Sequence, residues 1–324
     1  MSAREHWAFP ESFRPKPSEV GFDLTAVLEA VVEIQAQVPD EAFTAGILGT
    51  ERSGNGVLIG EDGLVLTIGY LIAEARTIWV TNNRGAVVPG HALAYDSASG
   101  FGLVLALGDL GAKPLARAGA SACRVGEEVY VIGAGGIGHA LKARVSARRE
   151  FAGYWEYVLD EAIYTAPAHP QWGGAALVCR EGRLAGIGSL LVQEFVEDRL
   201  VHGNLSVPIE LLEPILEDLV RFGRPQRPPR PWLGMYVQDS GGRLVVVGLA
   251  RGGPADRAGL KLGDAVLAVA AESPGGLADL FRRIWRLGPA GTEIPLTVER
   301  GRTRLELRVR SADRSDFLLK PALH

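Results

Sequence analysis

Residues 54–72 read GNGVLIGEDGLVLTIGYLI. Gly54 and Gly56 frame the opening, Asp62-Gly63 is a turn signal, and Leu66-Thr67 leads on to Tyr70. A D-G pair between two β-rich runs marks a tight connection between antiparallel strands. The pattern recurs from 46 to about 208, in runs such as TIWVTNNRGAVVPGHAL, EVYVIGAGG, GAALVCREGRLAGIGSLLV and HGNLSVPI. Runs this short, broken by N-N, E-G and G-G, argue for an antiparallel sandwich or barrel.

The 324 residues suggest two or three domains. An apolar fraction of 47% and a charged fraction of 22% are ordinary for a soluble globular chain, and Gly 41 with Pro 19 supply many turns. The net charge of −4 is unevenly spread. Residues 1–220 hold 28 acids against 16 bases, or −12; residues 221–324 hold 10 against 18, or +8. The bases are mostly arginines scattered over strand and helix faces, so no nucleic-acid partner is expected. Cys123 and Cys179 belong to no C-x-x-C pair, and His139, His169 and His202 lack ligand spacing. No metal and no cofactor are therefore expected. The first residues, MSAREHWAFPESFRPKP, contain no apolar core of a leader, and no run of about 18 apolar residues occurs. The expectation is a cytoplasmic protein with no membrane span.

Five segments follow from composition. Residues 1–23 are a polar arm carrying Trp7, Phe9 and Phe13. Residues 24–222 hold a helical start, a strand-like AVVEIQA, the β-rich region, and one helix over 209–222 with Leu211, Leu212, Ile215, Leu216, Leu219 and Val220 at helical spacing. Residues 223–229 are a Pro/Arg-rich linker, stiff and extended. Residues 230–312 form a second domain with a helix at 277–287 and strands near 293–299 and 303–310. Residues 313–324 are a tail.

Two stretches carry a family resemblance. Residues 54–72 match, without a gap, the segment that HtrA-family proteases typically write as G-S-G-F-I-I, a D-G turn, then I-L-T-N-A-H-V-V. The stretch Pro254–Asp264, P-A-D-R-A-G-L-K-L-G-D, resembles the PDZ domains of the same family. The resemblance covers roughly residues 28–311 and keeps the family's domain order. It implies a mostly β fold, a chymotrypsin-like double β-barrel followed by an α+β PDZ domain.

The resemblance also locates the chemistry, and each position is altered. The histidine position is Tyr70, a phenol whose ordinary pKa near 10 makes a poor base at neutral pH. The family's D-P-x-T-D-L-A-V-L resembles residues 96–104, which puts Gly100 at the aspartate. The family's N-P-G-N-S-G-G-P-L-V resembles residues 168–177, which puts Trp172 at the serine and Pro170, lacking an N–H, at an oxyanion donor. The expectation is that the chain is no enzyme. It would be an HtrA-like pseudoprotease serving as a protein-binding scaffold, adaptor or chaperone-like subunit. The alternatives are a structural subunit of a larger enzyme complex, or a serine protease rebuilt around His169 and Cys179. Tyr70 and Trp172 read as hydrophobic plugs, and Cys179 as a buried structural thiol.

In the second domain the resemblance implies a nest of backbone N–H groups at Leu233, Gly234 and Met235 that captures a C-terminal carboxylate. Of the helix residues Leu277, Leu280, Phe281 and Ile284, some would line its apolar wall and some must be core. Arg230 either assists the carboxylate or is a solvated linker residue. A bulky side chain at Gly234 should distort the loop, and Gly234→Glu should abolish binding while leaving the domain folded. The partners expected are protein or peptide C-termini. The arm's aromatics would glue a homo-trimer, as the resemblance implies, or form a mobile tail.

Overall fold

The computed structural model describes residues 7–119, 122–196 and 199–320. After a short helix, Leu24–Glu29, capped by the Asp23 carboxylate accepting from Ala26 N at 3.0 Å, the chain enters β1 (Val31–Gln37). Val31, Val32, Ile34 and Ala36 of β1 are buried, while Gln35 and Gln37 are exposed. The strands β2 (Glu51–Leu58), β3 (Leu64–Ile68), β4 (Thr77–Thr81), β5 (Val87–Tyr95) and β6 (Phe101–Ala106) follow. They close a barrel in the order β1-β2-β3-β6-β5-β4. The Asp62-Gly63 turn joins β2 to β3 as expected, with Gly63 at φ +85°, a conformation that favours glycine.

A second barrel is built from β7 (Glu128–Ile132), β8 (Ala140–Gly153), β9 (Tyr157–Ala166), β10 (Ala176–Val178), β11 (Leu184–Val196) and β12 (Arg199–Pro208). Its order is β10-β11-β12-β9-β8-β7, so the two barrels repeat one topology. The single helix expected over 209–222 is corrected. A 3-10 turn, Ile209–Leu211, and a helix, Leu216–Phe222, stand in its place. Pro214 lies between them; it has no N–H to donate, and its ring collides with a continuing helical backbone.

The remaining sheet runs β13 (Met235–Ser240), β14 (Arg243–Leu249), β15 (Ala265–Val269), β16 (Glu293–Arg300) and β17 (Thr303–Arg310), in that order. The helix Leu277–Arg286 turns Leu280, Phe281 and Ile284 into the core and carries Arg282, Arg283 and Arg286 on its other side. In the motif stretch, Asp264 is fully buried and holds Arg300 through both carboxylate oxygens at 2.7 Å.

Two compact units result. One comprises the chain up to Arg149, Glu161–Pro225 and the stretch from Leu319; the other comprises Glu150–Asp160 and Gln226–Leu318. The expected span 24–222 therefore gives up residues 150–160, the tip of the β8–β9 hairpin, to the second unit. The second unit also runs past 312, because Phe317 packs on Trp232 with ring centroids 4.8 Å apart.

Candidate functional site

In the barrel unit, Tyr70 sits on the 3-10 turn Gly69–Leu71 that follows β3. Buried Arg52 fixes this turn, donating to the carbonyls of Tyr70 at 2.8 Å and Ala73 at 3.0 Å. The phenol donates to Ser189 O at 2.9 Å, with the Trp172 side chain beside it. Burial holds it well above the usual phenol range, so it stays protonated. The structure thus joins two of the three altered positions directly. The third, Gly100, lies at φ +85° and meets the turn through its backbone, its carbonyl accepting from Gly69 N at 2.7 Å. Tyr70 is more than an apolar plug, since its hydroxyl is held by Ser189 O.

The loop carrying Pro170 and Trp172 is clamped by Asn55 of β2. Its Nδ2 donates to Gln171 O at 2.9 Å and Gly173 O at 3.0 Å, and its Oδ1 accepts from Ala134 N at 2.8 Å. Gly174 is required here: it lies at φ +75°, and a Cβ would fall 1.8 Å from Asn55 O. Pro170 is exposed and contributes no donor.

His169 is fully buried, with both ring nitrogens engaged. Nε2 lies 3.0 Å from His139 O, and Nδ1 accepts from Gln171 N at 3.0 Å. Those partners set the neutral Nε2–H tautomer, and burial lowers the pKa to about 4. Cys179 lies in the apolar cluster with Cys123, and burial pushes its thiol up. The two members of a rebuilt His169–Cys179 pair are thus each committed to other partners. Trp7 and Phe9 of the arm pack edge-on against His169, with centroids at 5.7 and 5.1 Å. These two aromatics serve their own barrel. Among the described residues no cluster of His, Cys, Asp or Glu could hold a metal ion.

The second unit presents a different site. The N–H groups of Leu233, Gly234 and Met235 converge on one carboxylate, that of Glu156 in the hairpin tip. Leu233 N lies 3.0 Å from Oε2, and Gly234 N and Met235 N lie 2.6 and 3.1 Å from Oε1. Successive N–H groups around a left-handed residue, here Gly234 at φ +72°, form an anion-binding nest. Beside it, Val237 N on the sheet-edge strand β13 donates to Tyr154 O at 3.0 Å. Glu156 is buried, and desolvation raises its carboxyl to about 7 against the pull of the three N–H donors and Arg314.

Two expectations about this site are corrected. Leu280, Phe281 and Ile284 are fully buried in a core cluster that also contains Val158 of the hairpin; only Leu277 remains partly open. They pack into the core of this unit with sheet residues such as Met235, Val266 and Leu296. Arg230 is exposed, as a linker arginine would be, and lies over the Trp285 ring at 4.3 Å rather than at the nest. Gly234→Glu cannot be silent for folding, since a Cβ there meets Ala250 Cβ at 2.9 Å and the Trp232 ring at 3.0 Å. Sequence reasoning missed Glu156 and Tyr154. Their only signal was a glutamate within FAGYWEYV, where a tight turn ordinarily places Gly, Asn or Asp.

Comparison with known proteins agrees with this architecture. Residues 54–187 match the trypsin-like peptidase domain and residues 231–310 the PDZ domain. A probable periplasmic serine endoprotease DegP-like from Ectopseudomonas mendocina is 29% identical over 276 residues, covering 79% of this chain and 55% of the relative. Serine protease Do-like HtrA from Bacillus subtilis is 24% identical, covering 80% and 64%. A serine endoprotease structure from Yersinia pestis aligns with a TM-score of 0.52 at 20% identity, over 93% of this chain and 100% of that one. The HtrA-type protease AlgW solved with a decapeptide aligns at 0.53 and 20% identity, over 92% and 99%. These structural matches establish the fold. The chain belongs to the HtrA/DegP-like family, a trypsin-like peptidase domain followed by a PDZ domain. It spans little more than half the length of the first of these relatives.

Two further expectations are overturned here. The chain was expected to be no enzyme, but its relatives are named serine endoproteases, which points to an enzyme. The cytoplasm was expected, but several relatives are named periplasmic. Among the described residues no helix is long and apolar enough to cross a membrane.

Proposed function

We propose that this chain handles other polypeptides as an HtrA-type scaffold, adaptor or chaperone-like subunit, and that its PDZ nest captures their C-terminal carboxylates. One observation carries the reading: three successive backbone N–H groups close on a single carboxylate beside a sheet edge that accepts an extended backbone. That is the geometry by which a sheet edge and a nest take a peptide end. The AlgW structure, titled as a complex with a decapeptide, lends support by likeness of fold. In the barrel unit, the positions assigned to the triad hold a phenol, a glycine and an indole. Peptide-bond chemistry in this chain would need another nucleophile.

A second reading, the structural subunit, is favoured by the same carboxylate, because the nest is filled from within the chain. Fluorescence polarisation of the full protein against a peptide library separates the two. The library carries an apolar last residue, in free-acid and C-amidated forms. Capture predicts weak, micromolar-range binding of free acids and rejection of amides. Absence of any difference between the two forms contradicts capture and supports the structural subunit. Release of fragments from unfolded casein, followed in the same sample, reports whether peptidase turnover accompanies binding.

A further inference from the structure

Resting on the reading of the nest as a carboxylate-capturing site, we propose that Tyr154–Glu156 is a built-in competitor for it. An outside C-terminus enters by displacing the Glu156 carboxylate.

The register supports this. Glu156 occupies the N–H groups of 233–235, while Tyr154 O accepts from Val237 N. Residue numbers fall along the hairpin as they rise along β13. This is the antiparallel course of a peptide added to the strand with its carboxylate in the nest. The side chain of Glu156 therefore stands in for a terminal carboxylate, and Tyr154 for the residue two places before it. The Tyr154 ring lies edge-on to Tyr236 of β13 at 6.0 Å and to Trp155 at 5.1 Å.

The backbone gives a second, independent sign. Glu156 sits at φ +61°, left-handed geometry that a residue with a long side chain adopts only when its surroundings compensate. Gly or Asn would fit that turn more easily. The hydrogen bonds to the carboxylate supply compensation, and with the Val237 N–Tyr154 O bond they hold the tip in place.

The hairpin stems are fastened separately. Arg282 grips Glu150 of β8 and Asp160 of β9, and Val158 belongs to the core. Displacement can then be confined to Tyr154–Glu156, with the stems left seated. Burial also works against Glu156 as an anion, raising its carboxyl to about 7 despite the donors and Arg314. A competing carboxylate thus contends with an occupant that is held at a cost.

The test uses the full-length protein and a fluorescein-labelled decapeptide carrying Tyr two positions before a terminal Val, as free acid and as amide. Glu156→Gly removes the carboxylate and suits the left-handed turn; Glu156→Gln keeps the shape without the charge. Circular dichroism melting confirms that each is folded, and the glutamine variant carries the comparison if the glycine variant is not. The expected result is free-acid binding at least about tenfold tighter in Glu156→Gly than in wild type, intermediate in Glu156→Gln, with the amide bound by none. Equal affinities across all three proteins would overturn the built-in competitor and leave capture by the nest standing. A folded Glu156→Gly that fails to separate acid from amide would overturn capture and the competitor together.

Discussion

The barrel cleft and the PDZ nest are both filled by the chain's own side chains, but in opposite ways. In the cleft the fillers are the residues the resemblance aligns with the family's triad: Tyr70, held by Ser189 O, lies beside Trp172, and Pro170 lacks an N–H. In the nest every donor is kept, and the filler is borrowed from Glu156, more than 70 residues earlier in the chain. In one region the altered residues are the site's own, whereas in the other the donors are intact and the occupant comes from elsewhere in the chain. The names of the relatives therefore inform the two sites differently. The nest keeps what a PDZ site needs, while peptidase chemistry in the barrels would have to use groups outside the three altered positions.

The largest effect should come from the clamp that shapes the cleft. Gly174→Ala puts a methyl group into Asn55 O and forces a left-handed alanine. A loss of more than about 3 kcal/mol is expected from the overlap and strain together. Urea unfolding followed by tryptophan fluorescence measures it, and an unshifted midpoint would mean the clamp is loose. Gly234→Ala is the counterpart in the nest, where contacts near 3 Å to Ala250 and Trp232 are milder. It should cost about 1–3 kcal/mol and weaken capture of free-acid peptides. Normal stability together with normal binding would show that the nest does not need its left-handed glycine.

Smaller still is Tyr70→Phe, which removes the hydroxyl bound to Ser189 O. About 1 kcal/mol of stability should go, read as a lower melting temperature. Any casein turnover the protein shows should stay unchanged, because the phenol is held protonated. A tenfold fall in turnover would assign Tyr70 a chemical role.

The pH dependence of the nest should be the subtlest signal. The folded pKa of Glu156, about 7, lies above its ordinary value of 4.5. Between those values the folded state binds more protons than the unfolded one, so stability falls as pH rises through the window and levels off above it. Arg314 offsets this in part, while Tyr236, its phenol pushed up by burial, stays neutral in that range. Wild type should lose more melting temperature from pH 5 to 7 than Glu156→Gln, and identical profiles would contradict the shift.

Much of the fold was legible because local chemistry carried it. The Asp62-Gly63 turn, the short strands, the stiff segment before 230 and the Pro254–Asp264 stretch all mark themselves within a few residues. Pro214 could equally have been read as a helix breaker, but the apolar spacing around it hid the break. The triad positions fell on Tyr70, Gly100 and Trp172 by resemblance, yet their hydrogen bonding needed the fold, since Ser189 and Asn55 lie far off in sequence. The role of Glu156 left no periodic trace. Its partners at 233–235 are set by long-range packing, and a glutamate in a hairpin tip looks like any solvated charge. The same distance effect hid the burial of Leu280, Phe281 and Ile284, whose cover comes from sheet residues distant in sequence.

Amide hydrogen exchange at Leu233, Gly234 and Met235 in the full-length protein tests the central claim most directly. The account predicts that the three amides are protected in wild type and exchange at least about tenfold faster in Glu156→Gly, while core amides such as Val298 keep their rates. Equal exchange at the three amides in the two proteins would contradict occupation of the nest by Glu156.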